Sequence, residues 1–282
     1  MRRSSFMVSV AVAALAAAQA EAAAVFGYTG SIAQWTAPTT ARYRITAIGG
    51  RGGDNIGGGS GGRGGIAAAT FQIFGGTTLN LVVAGDGAGF LGIYGGGGGG
   101  GGSWVYGNGA ALPHLVAGGG GGSYVSVNGN DAGSVAGAGQ GGASFNYQAD
   151  GGAGWFSDGQ ASYYGTGGKS RPSFAGGSRL PRPYGGGGCF SYGGFGGGGA
   201  GCYGGGGGGG FSGGFGGFSD RGGGGTSYVA SWAQGASIGV TGDAASITIA
   251  AVPEPESWAL LVAGFAAMGS VLRARRVTLA RG

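Results

Sequence analysis

Residues 95–106 read GGGGGGGGSWVY, in which eight consecutive glycines lead directly into a short apolar segment. Pure glycine also fills five further runs, at residues 118–122, 185–188, 196–199, 204–210 and 222–225. Of the 282 residues, 81 are Gly, far above the usual roughly 7%. Because no Gly-X-Y period runs through the chain and it contains only 7 Pro, a collagen triple helix is excluded.

The glycine runs have two interpretations, a set of flexible linkers or an ordered packing unit. Long structureless loops are uncommon inside a compact domain, and ordering glycine is costly in backbone entropy. Polyglycine can form an extended left-handed helix with three residues per turn and no internal hydrogen bonds. Such helices lack side chains, so they can approach closely and pair N–H with C=O between helices. We therefore expect a polyglycine-II helix bundle.

Segments with strand periodicity flank the glycine runs. In residues 25–48, apolar Tyr43, Ile45 and Ala47 alternate with polar neighbours, which predicts half-buried antiparallel strands. A second pair of strands is predicted at 66–74 and 78–84, joined by a turn at Gly75 and Gly76. Shorter strands are expected at residues 103–106, 114–117, 123–127, 227–232 and 245–250. The predicted fold class is all-β.

The N-terminal segment 1–24 has the composition of an export signal. Two arginines precede an apolar run at 6–18, and small residues follow at Ala18 and Ala20. This order is typical of a secretory signal peptide, and the run is too short for a stable spanning helix. Cleavage is predicted after Ala20, with Ala22 and Ala24 as alternatives.

The C-terminal segment 251–282 carries a Pro-Glu-Pro motif, a short apolar run and a basic cluster. These features are Pro253, Glu254 and Pro255, then residues 258–272, then Arg273, Arg275 and Arg276. The order resembles the PEP-CTERM sorting signal of Gram-negative bacteria, whose tail the membrane enzyme exosortase removes. The resemblance implies an exosortase-type partner, transient contact with the inner membrane, and a final place at the cell surface or outside the cell. The alternative is an ordinary tail anchor.

The central region 25–250 shows a second resemblance, carried by the order of its segments. VFGYTG at 25–30, QWTAP at 34–38, YRITAIGG at 43–50 and TLNLVVAG at 78–85 are followed by glycine runs between strand-like segments. In this order the region resembles the glycine-rich domain of the anaplastic lymphoma kinase and leukocyte tyrosine kinase receptors. The resemblance implies a TNF-like antiparallel β-sandwich with an inserted polyglycine-II helix bundle. The receptors' cytokine ligand is not carried over.

The two cysteines, Cys189 and Cys202, lie in one stretch rich in glycine and aromatic residues. An even number in an exported chain favours a disulfide over a metal site or a nucleophile, with two unpaired thiols as the alternative. The receptor resemblance implies that these two residues pair with each other.

Residues for catalysis are scarce. The only histidine is His114, in an apolar segment where we expect it to pack or to lie at an edge. Single aspartates such as Asp54, Asp86, Asp131 and Asp220 stand beside Gly, Asn or Arg, which is typical of turns, although a calcium role is an alternative for some of them. We expect neither an enzyme nor a cofactor.

The formal net charge of +5 arises mainly at the two ends. Between residues 25 and 252 there are nine basic residues against seven aspartates. Arg-Gly-Gly occurs at Arg51, Arg63 and Arg221, as in some RNA-binding tails, but the copies are isolated along the chain. We therefore expect no nucleic-acid partner.

Aromatic residues accompany the last glycine runs and have two interpretations. They either seal the glycine bundle or form a sticky surface that stacks on sugars or promotes self-association. The residues are Phe190, Tyr192, Phe195, Tyr203, Phe211, Phe215 and Phe218.

Together these features predict an exported, non-catalytic structural protein of the bacterial cell surface or the exopolysaccharide matrix. The alternative is a surface module that binds a polysaccharide or protein ligand through the face of its sandwich.

Overall fold

The structure, a computed structural model, describes residues 22–92, 94–134, 137–145, 148–163, 165–178, 191–253, 263–266 and 268. The chain divides into a main unit, Ala24–Ile249, and a terminal unit of Met1–Ala23 with Ala250–Gly282. In the terminal unit, residues 263–266 and Met268 are helical. Within these described ranges, every helix falls short of the length and apolarity needed to cross a bilayer.

Within the described ranges, ten strands form two five-stranded antiparallel sheets. In chain order they are β1 Ala24–Gly27, β2 Ile32–Thr36, β3 Ala41–Ile48, β4 Gly64–Ile73, β5 Thr78–Val82, β6 Ser103–Gly107, β7 Leu115–Ala117, β8 Tyr228–Val229, β9 Gln234–Thr241 and β10 Ser246–Ala251. The first sheet has the order β1-β10-β3-β4-β9, and the second has the order β2-β5-β6-β7-β8. The expectation of an all-β fold is confirmed.

The pairing of β4 with β5 suggested by the sequence is wrong. The predicted turn exists, since Thr77 N–H donates to the Phe74 carbonyl over 3.0 Å. The turn is a corner between sheets, because β4 pairs with β3 from Ile73↔Ala41 to Ile66↔Ile48 whereas β5 pairs with β2 and β6. A tight turn fixes the direction of the chain locally, and the choice of partner strand is made by burial on each face.

Two other strand predictions also need correction. Residues 123–127 are not a strand, since Tyr124 forms isolated bridges to Gly96 and Val127 around a turn. Conversely, β9 was not predicted from the sequence. It lies at the edge of the first sheet with most residues exposed, so its composition carries little apolar alternation.

The core between the sheets follows the predicted alternation. Tyr43, Ile45 and Ala47 of β3 are buried, and Leu79 and Leu81 of β5 are fully buried. Contacts between the sheets join β3 and β4 to β6, β7 and β8. Each such large side chain contributes about 1.5–3 kcal/mol when it leaves water. The rings of Trp35 and Tyr43 meet edge to face at 5.0 Å and join the two sheets at one end.

The second sheet is buried on its other face as well. There Val82, Trp104 and Val116 pack against three aromatic side chains from the glycine-rich part of the chain, namely Trp155, Phe174 and Phe211. The Trp104 and Trp155 rings stack with centroids 5.8 Å apart. The glycine-rich part is therefore attached to the sheet by a small aromatic core.

The glycine-rich segments are held together by hydrogen bonds that repeat every third residue. Gly97 and Gly100 donate to Ser123 and Gly120, and Gly122 and Gly119 donate to Gly206 and Gly209. Gly206 and Gly209 in turn donate to Gly97 and Gly100, which closes a ring of three segments with N···O distances of 2.7–2.9 Å. Every third amide of a segment therefore has the same partner segment.

Five other amides of residues 96–102 point to other neighbours. Gly98 and Gly101 donate to Ala88 and Gly85, whereas Gly96, Gly99 and Gly102 donate to Cys202, Gly199 and Gly196. Successive amides thus face three different segments in turn, which is the arrangement expected for a backbone with three residues per turn.

Close packing explains why the segments contain no side chains. A β-carbon on Gly100 would overlap the carbonyl oxygen of Gly50, and one on Gly206 would overlap that of Gly199. Since these neighbours are backbone atoms, they cannot rotate out of the way. Glycine is required here by contact rather than by backbone conformation.

Candidate functional site

The three Arg-Gly-Gly sequences, which are isolated along the chain, meet at one cleft in the main unit. The cleft has a volume of ≈ 450 Å³. Its lining is polar and contains three arginines but only one acidic residue: Arg51, Ser60, Gly61, Arg63, Asn128, Gly129, Asn130, Asp131 and Arg221. The sequence did indicate these arginines, but only the fold brings them together.

The glycine segments explain how Arg51 and Arg63 come to face the cleft. Arg51 and Arg63 each stand in the middle of a Gly-Gly-Arg-Gly-Gly sequence, at 49–53 and 61–65. The flanking glycines Gly50, Gly52, Gly62 and Gly64 face neighbouring backbone so closely that a β-carbon would overlap it. A side chain is therefore tolerated only at the position that points out of the packed segments.

Arg63 and Asp131 form a close ion pair in the cleft. The Arg63 guanidinium donates from Nη2 and Nε to Asp131 Oδ2, at 2.7 and 3.1 Å, and its backbone N–H donates to Oδ1 at 2.8 Å. The hydrogen bond from Arg63 holds the pKa of Asp131 below its usual value, and the same bond raises the pKa of Arg63. Asp131 is therefore ionised at neutral pH and engaged with Arg63.

The other two arginines are less engaged. Arg51 donates its backbone N–H to Asp86 Oδ1 at 2.8 Å, but its buried side-chain Nε has no hydrogen-bond partner within the described part of the chain. Arg221 lies beside Asp220, with 3.8 Å between Arg221 Nε and Asp220 Oδ1 on an exposed surface. Such an exposed ion pair contributes little, so both guanidinium groups retain donors for another acceptor.

The floor of the cleft is made of hydrogen-bonded backbone. Ser60 N–H donates to Asn128 Oδ1 at 2.9 Å, and Asn130 N–H donates to the Gly222 carbonyl at 3.1 Å. The Asn130 carbonyl accepts from Gly121 N–H at 2.8 Å. The loop 128–131 is therefore tied to the glycine segments on both sides, which holds the lining in position.

The other aspartates accept backbone N–H groups, but the bond from Arg51 to Asp86 joins two distant segments, so the predicted turn role is not confirmed for Asp86. Asp54 Oδ1 accepts the Gly61 N–H at 2.7 Å, and Asp86 and Asp220 accept the backbone N–H of Arg51 and Arg221. Among the described residues, no group of three His, Cys, Asp or Glu side chains could hold a metal ion. The calcium alternative stays a prediction without a located site.

His114 packs against aromatic rings away from the cleft. Its ring lies 5.8 Å from that of Phe71 and 5.2 Å from that of Trp232, centroid to centroid. Burial lowers the pKa of His114, since the charged form would lose hydration. The residue therefore has the packing role that the sequence predicts.

The described aromatic residues of the last glycine runs divide between buried and exposed positions. Phe211 is buried and stacks on Tyr228 at 4.3 Å, and Phe195 packs against the same core. The others described are more exposed, and Phe190 lies outside the described residues; the exposed ones are Tyr192, Tyr203, Phe215 and Phe218. The sequence did not single out Trp155 and Phe174, whose rings both contact Trp104 of the second sheet.

Several predicted site residues cannot be located in the structure. Cys202 is buried, but Cys189 lies outside the described residues, so their disulfide stays a prediction. Pro253 is exposed at the end of the described main segment. The remaining processing residues also lie outside the described ranges: Ala20, Glu254, Pro255, Arg273, Arg275 and Arg276.

Comparison with known proteins gives no assignment: no protein-family model matches the chain, and no curated protein matches it either.

Proposed function

We propose that this chain is an exported, non-catalytic structural protein of the bacterial cell surface or exopolysaccharide matrix. The observation that carries the proposal is the three-residue hydrogen-bond repeat of residues 95–102, 118–122 and 204–210. A unit of this kind carries very few reactive side chains, and its backbone N–H and C=O groups pair with one another. Both properties suit a rigid scaffold.

We further infer that these segments are polyglycine-II helices inserted into a TNF-like sandwich. The period of three in the hydrogen bonds supports the helix type. The two five-stranded antiparallel sheets and the burial of the second sheet on both faces support the inserted arrangement. The resemblance of region 25–250 to the receptor domains points to the same architecture.

Export and sorting rest on the two ends of the sequence. The basic start, apolar run and small residues before Ala20 support secretion. The Pro253-Glu254-Pro255 motif with its short apolar run and arginine cluster supports removal of the tail by an exosortase-type enzyme. The mature protein would then retain the glycine-rich domain alone.

A second candidate function is that of a surface binding module. The outer face of the first sheet presents Arg42 and Arg44. A ligand bound to this face of the sandwich would contact these two side chains. The arginine cleft favours this candidate more specifically, because it combines charge with a concave shape.

The intact mass of the protein in membrane and culture-medium fractions tests the proposal. We expect a released species that lacks both ends and gains two hydrogens on reduction. A full-length chain that stays in the membrane with free thiols would contradict both the sorting and the disulfide.

Assembly then separates the two candidate functions. Concentration-dependent self-assembly of the released protein, followed by light scattering, favours the structural function. A monomer with saturable affinity for isolated exopolysaccharide favours the binding module.

A further inference from the structure

We propose that the arginine cleft binds a carboxylate-bearing sugar, as in a uronate unit of an acidic polysaccharide. The inference rests on the proposed function, because a protein in the exopolysaccharide matrix would meet such a ligand. It adds a binding site and a class of ligand to that function. The site lies on the glycine segments rather than on the outer face of the sandwich.

The charge of the lining favours an anion. The lining itself carries Arg51, Arg63 and Arg221 against one acidic residue, Asp131, whose charge is already paired with Arg63. Outside the lining, Asp86 accepts only the backbone N–H of Arg51, and Asp220 lies 3.8 Å from Arg221 Nε on an exposed surface. The two remaining guanidinium groups each offer planar donors that match the two oxygens of a carboxylate.

The neutral part of the lining fits the remainder of a sugar. Ser60, Asn128 and Asn130 carry hydroxyl and amide groups, which can both donate to and accept from sugar hydroxyls. The volume of ≈ 450 Å³ falls within the range of about 300–1,000 Å³ typical of small-ligand sites.

A nucleic acid fits the same cleft less well. Single strands are usually held by aromatic side chains on which the bases stack, and none of the cleft residues is aromatic. The cleft offers only two arginines that are not already in a close ion pair, whereas phosphate backbones are bound through many basic contacts.

The backbone beneath the cleft favours recognition without rearrangement. The loop at Asn128 and Asn130 and the segments that carry the arginines are joined by hydrogen bonds of 2.8–3.1 Å. A preformed site loses little entropy on binding, so a few polar contacts suffice for measurable affinity.

Titration calorimetry of the purified full chain in mild detergent tests the site, with trigalacturonate as the probe and maltotriose as its neutral counterpart. We expect saturable binding of trigalacturonate that weakens as salt is raised, and no binding of maltotriose. In the variant Arg51→Gln/Arg221→Gln, Kd should rise by about tenfold or more, because two charge-assisted donors are lost. Thermal unfolding of this variant should stay close to that of the parent, since Arg221 is exposed and Arg51 is only partly buried.

The variant Arg42→Gln/Arg44→Gln is the matched control, because it removes the same charge from the outer face of the first sheet. An equal loss of affinity in this control, an unchanged Kd in the cleft variant, or no binding by the parent overturns the proposal. Tighter binding of a single-stranded oligonucleotide of equal charge would overturn it in favour of nucleic acid. Because the calorimetry does not depend on export, retention of the tail with normal trigalacturonate binding would count against the proposed function alone.

Discussion

Gly209 donates its amide to the carbonyl oxygen of Gly100 over 2.9 Å, and the same relationship joins Gly206 to Gly97 three residues earlier. The pair shows how distant glycine runs become one unit. Each extended segment leaves its amides without internal partners, so every turn must find them on a neighbouring segment. A substitution that displaces one segment therefore also breaks hydrogen bonds of the neighbouring segments.

Substitution of Gly100 by Ala should destabilise the protein strongly. The added β-carbon would overlap the carbonyl oxygens of Gly50 and Arg51, which are backbone atoms held in the network. We expect a loss of about 3 kcal/mol in the free energy of unfolding, at the upper end of overpacking effects. This loss can be measured by urea unfolding monitored with circular dichroism.

Gly242→Ala is the matched control, since nothing lies within 4 Å of a β-carbon at that position. Its free energy of unfolding should change by about 0.5 kcal/mol or less. If the two alanine variants unfold alike, the close packing of the glycine segments does not account for their composition.

Substitution of Trp155 by Ala should detach the glycine segments from the second sheet. The side chain is 1% exposed, stacks on Trp104 and donates from Nε1 to the Ala111 carbonyl at 2.8 Å. Loss of a buried tryptophan costs about 3–5 kcal/mol. Hydrogen exchange should show loss of protection first in the glycine segments.

Trp232→Ala provides the comparison, because Trp232 is 56% exposed although it also contacts aromatic rings. We expect it to cost about 1 kcal/mol and to leave the glycine amides protected. Equal effects of the two substitutions would show that the aromatic core has no special part in the attachment.

The lowered pKa of His114 predicts a loss of stability in acid. Because the folded state disfavours the charged imidazole, the unfolded state binds the proton more readily below about pH 6.5. The stability contribution is complete above that pH and falls as the pH approaches the lowered pKa, by at most about 1.4 kcal/mol per pH unit for one proton.

The variant His114→Phe keeps the ring contacts with Phe71 and Trp232 but cannot titrate. Its free energy of unfolding should fall less steeply between about pH 6.5 and pH 5 than that of the parent. Parallel pH profiles for the two proteins would rule out His114 as the titrating group.

The predicted disulfide between Cys189 and Cys202 should stabilise the glycine-rich part selectively. A closed loop of about 14 residues corresponds to about 3 kcal/mol in the chain-entropy model. We expect reduction, or the variant Cys189→Ser/Cys202→Ser, to lower protection in the glycine runs before the sheets. Unchanged exchange in residues 204–210 after reduction would refute this prediction.

The sequence by itself determined the all-β class, the positions of most strands and the ability of the glycine runs to pack backbone against backbone. These properties are local: the alternation of Tyr43, Ile45 and Ala47 marks a buried face, and an uninterrupted glycine run permits close backbone approach. Strand β9 could not be predicted in this way, because a strand with most residues exposed needs no such alternation.

Only the tertiary structure decided which segments meet. The assignment of β4 and β5 to different sheets, the attachment through Trp155, and the meeting of Arg51, Arg63 and Arg221 depend on contacts between residues far apart in the chain. Local periodicity carries no information about such partners, because pairing is selected by burial and by backbone hydrogen bonds across the whole fold. For that reason three isolated arginines in the sequence form one cleft in the structure.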